Sequence, residues 1–336
     1  MQRLKSDGKV YRKLLEQYLD SNEQQYLDEA KQMSSSFVNR NIHPEEIVRI
    51  HREAIFNLYG DESNIYTQSL QFLLEALIAY RLADEEFAKL RLEQDELQLE
   101  LQVAANMQKT LLKTEIPTIE GLDIGAISVP YRQMNGDYYH FVKTDHGTLG
   151  VAIADVIGKG VPAALAMSMI KFALDSFYEE TMRPENILKN LNRVVERNVA
   201  SNMFITMFYG HFLPESGLLK FASAGHEPGF IYRNETNEFE EIKAKGLVLG
   251  VLKNTAYRQY ELTLKKGDMI VLLTDGVTEC RWEDRFVNKE EVISIIKKYA
   301  DLPAQEHVEK VYDHFNQYIG FDLRDDFTLI IIKKMF

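Results

Sequence analysis

Apolar residues in the first third of the chain recur at helical spacing. Between residues 10 and 38, Val10, Leu14, Tyr18, Leu19, Tyr26, Leu27, Ala30, Met33 and Phe37 follow the 3.6-residue repeat, which predicts one long amphipathic helix. Asn41-Ile42-His43-Pro44-Glu45-Glu46 then marks a second helix start, with proline in the first turn and acids beside the positive end of the dipole. This helix is expected to stop near Gly60, and a third to begin around Ser63 to Tyr66 and carry Leu70, Leu73, Leu74, Leu77 and Ile78. No glycine or proline interrupts residues 61–116. Within that span Leu90, Leu97, Ala104 and Leu111 share one heptad position and Phe87 and Leu101 its companion, where Gln94 and Gln108 weaken the seam. Either an amphipathic helix lying on the rest of the chain or a two-stranded coiled coil joining two protomers satisfies this pattern. Three helices are few to bury a core alone, which favours the homodimer.

From Gly121 onward the period shortens. Strands are predicted at Leu122–Val129, Leu149–Ala154, Phe204–Phe212, Leu219–Ala224, Gly229–Tyr232, Tyr257–Leu264, Met269–Leu273 and Phe327–Ile332, bounded by Gly, Pro and Asp-rich turns. Helices are predicted at Pro162–Tyr178, Pro184–Val199, Lys289–Tyr299 and Ala304–Ile319. Strands dominate without strict alternation with helices, so the fold class expected is α+β rather than a doubly wound parallel sheet.

Charge and composition narrow the function classes. The 336 residues carry a formal net charge of −12 and no clustered basic and aromatic face, which argues against nucleic acid as a partner. The longest apolar runs, such as Ile270–Leu273, are strand-length, so no membrane association is expected. The N-terminal residues lack the apolar core of a signal peptide, and the single Cys280 excludes a disulfide framework within one chain; both point to the cytoplasm.

Four acidic islands carry the candidate chemistry: Gly136-Asp137-Tyr138, Ala154-Asp155-Val156-Ile157-Gly158, Thr274-Asp275-Gly276-Val277 and Asp325-Asp326-Phe327-Thr328. A single Asp beside Gly is usually a turn former. Four such islands, three of them beside β-branched and aliphatic runs, are better explained by carboxylates gathered at the rim of a sheet, where they repel one another unless a cation lies between them. Oxygen-only donors suit Mg2+ or Mn2+, and a binuclear site is the expectation. Gly158-Lys159-Gly160 lacks the earlier glycine and the following Ser or Thr of a nucleotide loop, and Lys159 is assigned no role. Cys280 lacks a thiol phosphatase's Cys-x5-Arg loop.

These islands, together with Gly158-Lys159-Gly160, Ala224-Gly225-His226-Glu227-Pro228 and Gly246-Leu247-Val248-Leu249-Gly250, resemble in order and spacing the bacterial branch of the metal-dependent phosphatases of the protein phosphatase 2C type. The resemblance extends across residues 121–336, and the N-terminal third resembles the sigma-factor-regulating members. It implies a β-sandwich flanked by helices (121–336), preceded by an N-terminal helical domain for partner binding and dimerisation (1–84) and a coiled-coil-like linker (85–120). It also implies serine/threonine phosphoprotein hydrolysis with two Mn2+ or Mg2+ ions and no covalent enzyme intermediate. Asp155 matches the bridging ligand, with the Val156 carbonyl completing one shell; Asp137 would act chiefly through water, and Asp275 and Asp325 complete the set, with Asp326 the alternative to Asp325. The implied substrate is an RsbV-like phosphorylated anti-anti-sigma factor in the sigma-B stress response, and the implied activator is an RsbT-like protein at the N-terminal helices. A signalling scaffold and a hydrolase of small phosphate compounds are the competing functions. His226 either supports its turn or donates a proton, and the turn role is preferred.

Overall fold

The computed structural model describes residues 2–40, 42–60, 63–131, 133–158, 160–177, 183–199, 203–282, 285–318 and 325–336. Lys159 and the expected helix ends at Tyr178 and Ile319 lie outside the described residues. The chain divides into two compact units, Met1–Glu100 and Leu101–Phe336.

The first unit holds α1 (Gln2–Ser21), α2 (Gln24–Asn39), α3 (Pro44–Tyr59) and most of α4 (Ser63–Leu111). The single helix expected over 10–38 is thus two. Asn22 takes the left-handed conformation, φ +56°, which asparagine tolerates better than most residues. The Ser21 hydroxyl donates to the Gln17 carbonyl at 2.9 Å and accepts the Glu23 amide at 3.3 Å, drawing the chain out of the helix. Gly60, at φ +64°, ends α3 as expected. With four helices rather than three, the unit buries a core of its own around Tyr11, Leu15, Phe37, Ile47 and Phe72. The premise that a second copy is needed to supply a core therefore falls away. Along α4, residues 84–100 are exposed on every side.

The second unit contains β1 (Leu122–Val129), β2 (Asp137–Lys143), β3 (Leu149–Ile157), α5 (Val161–Asp175), α6 (Pro184–Asn198), β4 (Phe204–Leu213), β5 (Leu218–Ala224), β6 (Gly229–Arg233), β7 (Glu238–Ile242), β8 (Tyr260–Thr263), β9 (Met269–Leu273), α7 (Asp275–Thr278), the short hairpin β10 (Arg281–Trp282) and β11 (Arg285–Phe286), α8 (Lys289–Lys298), α9 (Ala304–Tyr318) and β12 (Phe327–Lys334). Two antiparallel five-stranded sheets, ordered β1-β12-β9-β6-β7 and β2-β3-β4-β5-β8, form a sandwich. Alternation along β12 shows how it closes: Ile330 and Ile332 enter the core between the sheets, while Phe327, Leu329 and Ile331 face α8 and α9. On the opposite side, α5 and α6 cover the second sheet through Met167, Ile170, Leu188 and Leu191. This is the expected α+β sandwich flanked by helices. The C-terminal end of α4, from Leu101, belongs to this unit, with Ala105 buried beside Met134 and Ala164. Among the described residues no helix is long and apolar enough to cross a membrane.

Candidate metal centre

Register brings the first two aspartates together. β2 and β3 pair antiparallel with Asp137 opposite Asp155, at the end of the sheet where β2 begins. Opposed side chains on neighbouring strands lie about 5 Å apart, and like charges so placed repel. Asp137 is only 3% exposed. Burial, and then the nearby Asp155 carboxylate, push its pKa well above the usual carboxylate range, against the pull of the Thr274 and Thr328 hydroxyls. Thr274 Oγ1 donates to Asp137 Oδ2 at 2.7 Å and accepts the Thr328 amide at 3.1 Å, so β9 and β12 orient this carboxylate. The Asp137 amide donates to Asn135 Oδ1 at 2.9 Å.

Asp275 opens α7 directly after β9. Burial first, then the carboxylates of Asp325, Glu279 and Glu227, push its pKa up to about 6. Gly276 allows the backbones to meet here, since a Cβ on it would lie 2.0 Å from the Asp326 carbonyl oxygen.

The adjacent pair Asp325 and Asp326 divides its work. The Asp326 carboxylate accepts the Tyr131 amide at 2.7 Å and the Gly136 amide through its other oxygen, clasping the loop that leads into Asp137. Burial raises its pKa and these amides oppose the rise. Asp325 is half-buried, lies within electrostatic reach of Asp275, and accepts the Asp326 amide at 3.0 Å. A cleft of about 480 Å3 lined by Leu101, Tyr131, Met134, Gly136, Asp325 and Asp326 reaches this edge.

The carboxylates thus gather as two pairs, Asp137 with Asp155 and Asp275 with Asp325. Among the described residues no three His, Cys, Asp or Glu side chains close on a single point. Two carboxylate pairs, with Asp137 buried and Asp155, Asp275 and Asp325 half-buried, offer oxygen donors only, with no thiolate or imidazole between them, and fit hard divalent cations.

The other candidates have structural work. His226 Nδ1 lies 2.9 Å from Thr206 Oγ1, its amide donates to Ser223 Oγ at 3.2 Å, and burial lowers its pKa to about 4, so the ring is neutral. Cys280 donates to the Gly276 carbonyl at 3.0 Å and burial pushes its thiol up to about 12, which removes it as a nucleophile.

Periodicity misassigned Gln108. Rather than facing a coiled-coil seam, it is 6% exposed and pairs twice with the main chain of Asn135, its Nε2 donating to the carbonyl at 2.6 Å and its Oε1 accepting the amide at 3.0 Å. Asn135 Nδ2 in turn donates to Ser128 Oγ at 2.7 Å, and Ser128 meets Thr328 at 2.9 Å. The end of α4 is therefore joined to the residue that positions the Asp137 amide. The sequence signal was a glutamine interrupting an otherwise apolar heptad column.

The profile of the family described as Stage II sporulation protein E (SpoIIE) matches residues 145–334, and that of "Phosphoserine phosphatase RsbU, N-terminal domain" matches residues 9–83. Phosphoserine phosphatase RsbU of Bacillus subtilis (strain 168) is 48% identical over 324 residues, covering 96% of each chain. This chain belongs to the RsbU family of phosphoserine phosphatases. As an RsbU-family member it is a metal-dependent protein phosphatase, an enzyme class that the paired carboxylates suit. Solved structures agree on the fold: the SiaA-PP2C domain of Pseudomonas aeruginosa gives a TM-score of 0.62 at 21% identity, covering 72% of this chain and 98% of that one. RsbX in complex with magnesium gives 0.50 at 19% identity, covering 65% and 98%.

Proposed function

We propose that this RsbU-family chain removes phosphate from phosphoserine or phosphothreonine of an RsbV-like anti-anti-sigma factor, and so activates sigma-B in the general stress response. The observation that carries the reading is the Asp137–Asp155 register beside Asp275 and Asp325: mutually repelling carboxylates gathered with one of them fully buried have no use in a non-enzymatic scaffold. Asp155, the Val156 carbonyl, Asp275, Asp325 and, through water, Asp137 would hold two Mn2+ or Mg2+ ions. When bound, these ions offset phosphoryl charge and make water a competent nucleophile at neutral pH. The chain supplies orientation: Thr274 fixes the Asp137 carboxylate, and Asp326 braces the Tyr131 and Gly136 amides ahead of it, which leaves Asp325 as the ligand of that pair. Manganese-dependent release of phosphate from p-nitrophenyl phosphate, measured with and without the RsbT-like activator, tests the chemistry, and no release under either condition would overturn it. A phosphoserine protein turned over no better than the aryl ester would favour a small-phosphate hydrolase.

Regulation belongs to the same reading. Residues 1–84 form the partner-binding domain, 85–120 the linker and 121–336 the catalytic domain of a cytoplasmic protein. An RsbT-like activator docks on the first, and the exposed Phe87, Leu90 and Leu97 of α4 support pairing of two protomers through a coiled coil. The activator must bind the active arrangement more tightly than the inactive one. Stimulation undiminished in a chain lacking residues 1–84 would refute this switch.

A further inference from the structure

A second feature of the catalytic unit lies away from the carboxylates. α6 packs on its sheet through Ile187, Leu188, Leu191 and Val195, leaving Arg193 and Arg197 exposed. Just before Arg193 in sequence, Asn192 is 1% exposed and holds the loop that follows β7. Its Nδ2 donates to the Leu252 carbonyl at 2.9 Å, and its Oδ1 accepts the Gly250 amide at 2.9 Å and the Tyr257 hydroxyl at 3.4 Å. Two backbone hydrogen bonds, 2.9 and 3.3 Å, tie Leu249 to Ile205. Gly250 sits at φ +93°, and a Cβ there would lie 2.7 Å from Val195 Cγ1, so the loop lies tight against the helix.

A buried amide and two backbone hydrogen bonds thus fix a loop whose next side chains point into water. Val251 is 50% exposed and Leu252 58%. Beside them opens a cleft of about 510 Å3 lined by Asn192, Arg193, Glu196, Arg197, Lys253 and Asn254. Glu196 pairs with Lys253 at 3.2 Å, whereas among the described residues Arg193 and Arg197 have no carboxylate within ion-pair distance. Unpaired cations beside pre-ordered apolar side chains, on a chain of net charge −12, define a surface for an acidic partner.

Its place in the sheet says which partner. Leu249 bridges to Ile205, and Ile205 pairs with Val156 of β3. Two strand spacings, about 10 Å, therefore separate the start of this loop from the Val156 backbone. A substrate whose phosphoserine lies at the carboxylates reaches the cleft with residues about three to five positions away in an extended segment. A second copy of the chain is a poor occupant, because a two-fold contact through this face would set Arg193 and Arg197 against their own copies.

We propose that the cleft between α6 and the 249–254 loop is the docking surface for the phosphoprotein substrate, reading acidic residues with Arg193 and Arg197 and an apolar side chain with Val251 and Leu252. The proposal rests on the phosphatase reading above and assigns a specificity surface to that site. The test compares two fluorescein-labelled phosphoserine peptides of equal length with the full chain, one carrying Asp and Glu three to five residues from the phosphoserine and one carrying Ser and Ala there. The acidic peptide is expected to bind and turn over about tenfold better, through KM rather than kcat. Arg193→Glu combined with Arg197→Glu erases that preference while leaving the neutral peptide and p-nitrophenyl phosphate unchanged. Leu252→Asp weakens both peptides and leaves the aryl phosphate alone. Equal binding of the two peptides by the unaltered chain, or a preference that survives the double substitution, overturns the proposal. So does a fall in sedimentation mass with Leu252→Asp, which would give the face to a second copy. Binding is read by anisotropy independently of turnover, so an acidic preference without hydrolysis would refute the phosphatase reading while leaving the docking surface standing.

Discussion

Replacing Gln108 with leucine keeps the volume and the helix propensity of that position but removes both hydrogen bonds to the Asn135 main chain. A backbone amide or carbonyl left unpaired in a dry site costs about 1–3 kcal/mol. A neighbouring cleft of about 480 Å3, lined by Gln108, Asn135 and Asp137 among others, admits water and brings the total to the low end, about 2 kcal/mol. Relaxation of the backbone at Asn135 relieves that penalty at the expense of the Asn135 contact to the Asp137 amide. If all of it is expressed in the geometry of the carboxylates, kcat falls roughly 30-fold, since 1.4 kcal/mol is a factor of ten. The assay is manganese-dependent hydrolysis of p-nitrophenyl phosphate beside a thermal melt. The expected outcome is a large loss of kcat with a Tm shift of only a few degrees. Gln108→Glu, which keeps the acceptor for the Asn135 amide but sets oxygen against its carbonyl, falls at least as far. Unchanged kcat with a lowered Tm would mean that the end of α4 only packs there, and would refute the coupling.

The adjacent aspartates separate in a paired measurement. Asp326→Ala frees two loop amides and lowers Tm together with activity, whereas Asp325→Ala abolishes turnover and spares Tm; the reverse pattern would exchange their roles. His51, 5% exposed and bonded to Tyr11 at 2.9 Å, has its pKa lowered by burial from 6.5 to about 4. Between those values the unfolded chain binds a proton that the native helices refuse. Stability of the N-terminal unit therefore falls as pH drops from about 6.5 to about 4, by up to roughly 3 kcal/mol at the low end. Hydrogen exchange of α1–α3 amides at pH 7 and 4.5 reads this loss, which His51→Gln should largely remove; equal losses in both proteins would contradict it.

Much of the catalytic unit was legible in the sequence because its strands are apolar runs with clear boundaries. Met269–Leu273 and Phe327–Ile332 read as strands whichever sheet they enter. β2 did not, because Asp-Tyr-Tyr-His-Phe-Val-Lys alternates poorly and opens on a Gly-Asp pair that reads as a turn. The break between α1 and α2 was hidden because Asn22, rather than a glycine or proline, takes the left-handed conformation. The acidic islands were visible, but the division of labour between Asp325 and Asp326 depends on partners at Tyr131 and Gly136, about two hundred residues away. Gln108 was misassigned for the same reason: its partner is a backbone 27 residues on, which no local period reports.

The central claim is that the paired carboxylates carry out metal-dependent hydrolysis of a phosphoserine protein, and Asp155→Asn tests it most directly. That substitution keeps the shape of the side chain opposite Asp137 and removes its charge. Phosphate release from a phosphoserine protein, measured with Mn2+ for both proteins and with circular dichroism as the control for folding, should fall to background in the variant while its melt stays at or above that of the unaltered chain, because a repulsive pair has been relieved. Full activity in a well-folded Asp155→Asn protein would contradict the account.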